Sequence, residues 1–183
     1  MFDVGRLADK RILDIGCGRN KLSGAIGLDR TPFLGVDVVS NLNDGLPFAD
    51  EVFEVVYSDQ VLEHVSNLIG LIEEIHRILI PGGMMVAHVP YFRSSWATID
   101  PTHVRQFTLN SLDYFVRGTY EYEGYRFSNT AFSRVERYLD WNYPSSLLRF
   151  VFTGLARRWP YRFENSILSF IYPFESMTFV LTK

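Results

Sequence analysis

The stretch RILDIGCG (residues 11–18) decides the fold. Residues 11–15 form a short apolar run, the pattern of a strand buried on both faces. It stops at Gly16 and Gly18, where the missing Cβ lets another group approach the backbone closely. Working outward, residues 25–29, 36–42, 53–58 and 84–90 read as four more short strands, and residues 132–141 and 176–182 as the last two. Between the fourth and fifth, residues 66–79 place Leu68, Leu71, Ile72, Ile75, Ile78 and Leu79 on one helical face. Ser66 or Asn67 caps that helix, and Pro81-Gly82-Gly83 stops it. A second helix is expected from a Thr108 cap to about Val116. Strands alternating with helices predict an α/β fold, a doubly wound and mostly parallel seven-stranded sheet, with an elaborated C-terminal helical part.

The chain has 183 residues, the size of one domain, and at that length about 70% of the unfolded surface is buried without a staple. Hydrophobic residues at 47% and charged residues at 21% exclude disorder, collagen and coiled coil. One cysteine, Cys17, rules out an internal disulfide and points to a reducing, cytoplasmic setting. The first residues lack the basic and apolar regions of a signal peptide, and no apolar run is long enough to span a membrane. A net charge of −3 argues against a nucleic-acid partner. Residues 1–115 carry nine Lys/Arg against fifteen Asp/Glu, whereas residues 116–183 carry nine against six and hold 17 of the 28 aromatic residues. The two parts therefore read as a core (11–115) and an acceptor or cap region with the last two strands (116–183), within one domain.

Several nucleotide-binding alternatives fail on single positions. A dinucleotide fingerprint needs a third glycine where Lys21 stands, and no phosphate-cradling GxxxxGK[ST] run exists. Lysines occur only at 10, 21 and 183, so no Tyr-x-x-x-Lys pair can be built. What the chain does show is an order: LDIGCG, IGLD, SNLNDGLPFADEVFEVVYSDQVLEHV, then RILIPGG and a strand. This order resembles the class I S-adenosylmethionine-dependent methyltransferases, in particular the small type-11-like group, over about residues 11–115.

The resemblance implies a Rossmann-like fold, S-adenosylmethionine as cofactor, and roles by position. Gly16 and Gly18 would pass beside the methionine part of the cofactor, with Asp14 orienting it. Asp29 would accept from both ribose hydroxyls, and Asn41 with the Leu42 N–H would meet the adenine edge. Ser58, with Asp59, would lie near the reactive methyl. Asp37 is the competing acid; only three residues separate it from Asn41, too few for a turn and strand, so Asp29 is the choice. The helix after the glycine turn has only residues 19–24 available and the third glycine is absent. Arg19 or Lys21 would compensate by pairing with the cofactor carboxylate, or both are solvated cations.

Beyond the fifth strand, Asp100-Pro101-Thr102-His103 supplies the candidates for acceptor binding or proton removal, Asp100 and His103. The alternative is a capped turn anchored by His103. His64 reads as a structural donor, His76 as solvated and His88 as a satisfied core residue. No histidine pair has ligand spacing on one element, so no metal is expected. The aromatic, arginine-bearing segment 143–174 has three readings: a cap over the acceptor pocket, a homodimer surface, or a peripheral membrane contact. The functional expectation is methyl transfer to a small-molecule or lipid-linked acceptor; the alternative is a non-catalytic S-adenosylmethionine-binding sensor or partner subunit.

Overall fold

The computed structural model describes residues 2–140, 146–172 and 174–183. Seven strands form one sheet: β1 (Ile12–Ile15), β2 (Ile26–Asp29), β3 (Val38–Val39), β4 (Phe53–Asp59), β5 (Leu79–Pro90), β6 (Arg134–Asp140) and β7 (Ser176–Thr182). Their order is β3-β2-β1-β4-β5-β7-β6. The first five run parallel, and β7 lies antiparallel between β5 and β6. The chain reverses direction across the sheet between β1 and β4, which opens a crevice at their carboxyl ends.

All four residues of β1 are buried, in keeping with its unbroken apolar pattern. Helix α1 (Leu68–Ile78) buries Leu68, Leu71, Ile72, Ile75 and Ile78 against one face of the sheet. Asn67 caps it, its side-chain oxygen accepting from the Gly70 N–H at 3.1 Å. Pro81-Gly82-Gly83 does not stop the helix, which has already ended at Ile78. The chain turns straight into β5 at Leu79, and the pairing with β4 jumps from Phe53–Leu79 to Val55–Met84, so the Pro-Gly-Gly step is a bulge within the strand. The other face is covered thinly, by Phe2, Val4, Leu7 and Leu22 over Ile12, Val55, Val86 and Val180. Between β1 and β2 there are only turns, as the short spacing required.

The helix expected over residues 108–116 does not form. A turn closes with the Thr108 N–H donating to Ser111 Oγ at 2.8 Å, and only a 3-10 turn follows at Asp113–Phe115. Leu109, Leu112, Asp113 and Val116 are buried at helical spacing, yet the backbone does not follow that pattern. Ser111 bonding its neighbour's backbone competes directly with helical hydrogen bonding.

Short helices follow: α2 (Trp96–Ile99), α3 (Tyr120–Tyr125), α4 (Ser146–Arg158), α5 (Pro160–Glu164) and α6 (Leu168–Ile171). Trp141, expected to end β6, lies outside the described residues. The tail packs on the core through buried Ala156, Phe163 and Phe174. It also leaves Leu147, Phe150, Tyr161 and Ile167 largely exposed. No helix among the described residues is long and apolar enough to cross a membrane.

Candidate active site

The crevice is a cleft of about 340 Å³ at the carboxyl ends of β1, β2, β3 and β4. Gly16, Asp29, Asn41 and Leu42 line it, with Gln60, Val61, His64 and Thr102 on the far side. The β1 turn is shaped by its glycines. Gly16 has φ +64°, and a Cβ there would meet Val61 Cγ2 at 2.5 Å. Gly18 has φ +52°, and its N–H donates to Asp29 Oδ2 at 2.9 Å. The other Asp29 oxygen accepts from the Thr31 N–H at 2.8 Å. Asp29 is thus held at the cleft wall by two backbone donors, and each carboxylate oxygen still has a lone pair to offer.

Four of the seven residues expected at the cofactor line the cleft: Gly16, Asp29, Asn41 and Leu42. Gly18 stands behind Asp29. Asp14 is buried beneath the turn and accepts the Leu22 N–H at 2.8 Å, and burial lifts its carboxyl to about 6. Ser58 is fully buried and does not line the cleft. The Asn41 amide oxygen accepts from the Asn43 N–H at 3.1 Å and so caps the turn at Leu42–Asp44. Asp37 is outside the cleft, bound to Lys21 Nζ at 2.7 Å and to the Gly27 N–H at 2.7 Å. Lys21 is therefore already paired, and the Arg19 guanidinium lies 4.7 Å from the Phe33 ring centre.

The loop after β5 folds onto the turn after β4. Val104 N–H donates to the Glu63 carbonyl at 2.9 Å, and Arg105 donates to the Val65 and Ser66 carbonyls. Asp100 accepts both the N–H and the hydroxyl of Thr102, at 2.8 and 2.7 Å, and these bonds hold its carboxyl below the usual range. Thr102 Oγ1 is also 2.9 Å from His64 Nδ1. His103 Nδ1 lies 3.2 Å from the Ala97 carbonyl oxygen, and its ring meets that of His64 edge-on at 4.6 Å. Asp100 thus caps the turn rather than facing the cleft, and acts on it through Thr102 and His64.

Glu63 and His64 are the residues sequence reasoning undervalued. Glu63 is 1% exposed and neither carboxylate oxygen accepts a hydrogen bond from another residue. Burial raises its carboxyl to about 7. His64 lines the cleft directly. A topological signal was available: loops after β4 and β5 must be neighbours in a parallel sheet, so Glu63-His64 and His103 converge despite their separation in sequence. His88, read as a core residue, links three strands by bonding Asp59 at 2.7 Å and Ser176 at 2.8 Å.

Comparison with known proteins bears on the fold that carries this cleft. Residues 30–87 match the family model described as a methyltransferase domain. In this stretch and in its fold the chain is similar to the class I S-adenosylmethionine-dependent methyltransferases. The chain is 33% identical over 97 residues to a ubiquinone biosynthesis O-methyltransferase of Cereibacter sphaeroides, covering 42% of this chain and 39% of the relative. It is 31% identical over 139 residues to the protein of that name in Agrobacterium fabrum, covering 62% and 52%. It therefore spans about half, or less, of the curated relatives it matches. A crystal structure of a methyltransferase from Archaeoglobus fulgidus superposes with a TM-score of 0.64 at 19% identity, covering 98% of this chain and 92% of that one, which shows a common fold.

Proposed function

We propose that this chain transfers the methyl group of S-adenosylmethionine to a hydroxyl group of a small-molecule or lipid-linked acceptor. The observation that carries this reading is the cleft itself. At the point where the strand order reverses, Gly16 lines the cleft, Asp29 offers lone pairs to a ribose diol, and Asn41 with Leu42 bounds the adenine end. The opposite end, at Gln60, His64 and Thr102, is polar and suits the acceptor. Oxygen as the acceptor atom draws on the relatives' designation as O-methyltransferases.

In the reaction, a lone pair on the acceptor oxygen forms the new O–C bond as the C–S bond breaks. The electron pair of that bond stays on sulfur, giving neutral S-adenosylhomocysteine, and the hydroxyl proton is released at the His64 end. The protein's contribution is an in-line approach of oxygen, methyl and sulfur, held in place.

The test is isothermal titration with S-adenosylmethionine and S-adenosylhomocysteine on the native chain and on Asp29→Ala. Micromolar binding that the substitution removes is the expected result. A native chain that binds neither molecule would overturn the reading.

A further inference from the structure

We propose that Glu63, His64 and His103 form a mononuclear binding site for a first-row divalent cation at the acceptor end of the cleft. Each residue offers one ligand atom, and the three atoms lie within 4.8 Å of one another. Glu63 supplies the second, independent observation. Its carboxylate is 1% exposed, and both oxygens lack a hydrogen-bond donor from another residue. The nearest candidate partner is His103 Nε2, 4.0 Å from Oε1. A carboxylate taken out of water with no donor costs several kcal/mol, and buried charges in folded proteins are paired or hold a metal.

The surrounding hydrogen bonds set both imidazoles for ligation. The Ala97 carbonyl only accepts, so His103 Nδ1 carries the proton and Nε2, on the Glu63 side, carries the lone pair. Asp100 accepts the Thr102 hydroxyl proton, so Thr102 Oγ1 is the acceptor for His64 Nδ1–H, which leaves His64 Nε2 as the lone-pair nitrogen. A carbonyl behind one histidine and a hydroxyl–carboxylate pair behind the other are the outer contacts that orient ligating imidazoles. The donor set is two neutral nitrogens and one carboxylate. That set favours manganese, iron, cobalt or zinc over calcium and magnesium, which prefer oxygen throughout. Three protein ligands leave coordination positions open, and His64 and Thr102 border the cleft. An acceptor oxygen bound at an open position would be presented to the methyl group with its hydroxyl acidified. That last assignment rests on the methyl-transfer reading; the cation site does not.

The experiment uses the full chain, stripped with a chelator and titrated with Co²⁺, reading ligand-field absorption in the visible and stoichiometry by calorimetry. One Co²⁺ per chain is expected, displaced by Zn²⁺ and indifferent to Mg²⁺. Glu63→Gln and His103→Gln should each abolish the absorption band. His76→Asn, on α1 and outside the cluster, should keep it. Thr102→Val keeps every ligand but removes the bond that orients His64, and should weaken Co²⁺ binding by about tenfold. It also provides the test should a buried substitution fail to fold by circular dichroism. Absence of a stoichiometric band in the native chain, or a band that survives in folded Glu63→Gln and His103→Gln, overturns the site. S-adenosylmethionine titrated in parallel separates the two readings. Cofactor binding without Co²⁺ removes the cation site alone, and Co²⁺ binding without cofactor removes methyl transfer alone.

Discussion

At the scale of single residues, the β1 turn gives the sharpest expectations. Gly16 combines a positive φ of +64° with Val61 methyl groups 2.5 and 2.7 Å from where a Cβ would stand. Gly16→Ala should lower unfolding free energy by about 1–3 kcal/mol in urea titration, from strain and overpacking together. Adding Val61→Ala should restore the overpacking part and leave the conformational part. Asp14 gives a pH dependence. Its carboxyl is raised from 3.8 to about 6 by burial, so the folded chain holds that proton more tightly than the unfolded chain does. The favourable contribution is complete below pH 3.8 and is lost as pH rises through about 6, a change of at most about 3 kcal/mol. Asp14→Asn should therefore be the more stable protein at pH 8, with the difference shrinking towards pH 4, as chemical denaturation across that range would read. The roles of these two residues were unequally legible. Two glycines after a buried strand announce a tight turn, whereas nothing in LDIGCG says that Asp14 closes onto the Leu22 N–H rather than facing the cleft.

Among elements, the segment 46–50 ahead of β4 depends on one side chain from α1. Arg77 donates to the carbonyls of Leu46 and Phe48 and to the carboxylates of Glu74 and Asp50. Glu74 in turn accepts the Leu46 N–H at 3.0 Å. A planar guanidinium can serve this many acceptors at once and an ammonium cannot. Arg77→Lys should cost about 1–2 kcal/mol, a modest loss because the side chain is 31% exposed, and should speed amide exchange across residues 46–50 ahead of β4. The interior strands were legible from apolar runs bounded by glycine, proline and polar turns, because burial in a sheet leaves that pattern directly, whereas the edge strands β3 and β6 are largely unburied and β3 keeps only Val38–Val39 of the expected 36–42. Helix α1 was legible because only one of its faces is buried. The segment 108–116 was misread because its buried residues do fall at helical spacing, while the Thr108 N–H bonds to Ser111 Oγ and closes a turn instead. The pairing of Glu63 and His64 with His103 was hidden for a third reason. It exists only after the loops following β4 and β5 are placed side by side.

For the molecule as a whole, ligand binding and folding are linked, which turns the choice between Asp29 and Asp37 into a measurement. Both acids bind backbone N–H groups, but Asp29 borders the cleft while Asp37 is occupied by Lys21 outside it. A ligand that binds only the folded chain stabilises it by about 2.7 kcal/mol at one hundred times its dissociation constant. In a chain of 183 residues, each kcal/mol moves the thermal midpoint by about 2–4 °C. Saturating S-adenosylmethionine should thus raise Tm by roughly 5–10 °C. Asp37→Ala should lower the ligand-free midpoint yet keep nearly the whole increment, since the substitution breaks an ion pair that does not line the cleft. Asp29→Ala should lose most of the increment, because a wall carboxylate facing the ribose diol contributes only when ligand is bound. The reverse pattern, an increment kept by Asp29→Ala and lost by Asp37→Ala, would move the ribose end of the site to the start of β3 and redraw the cleft's polarity.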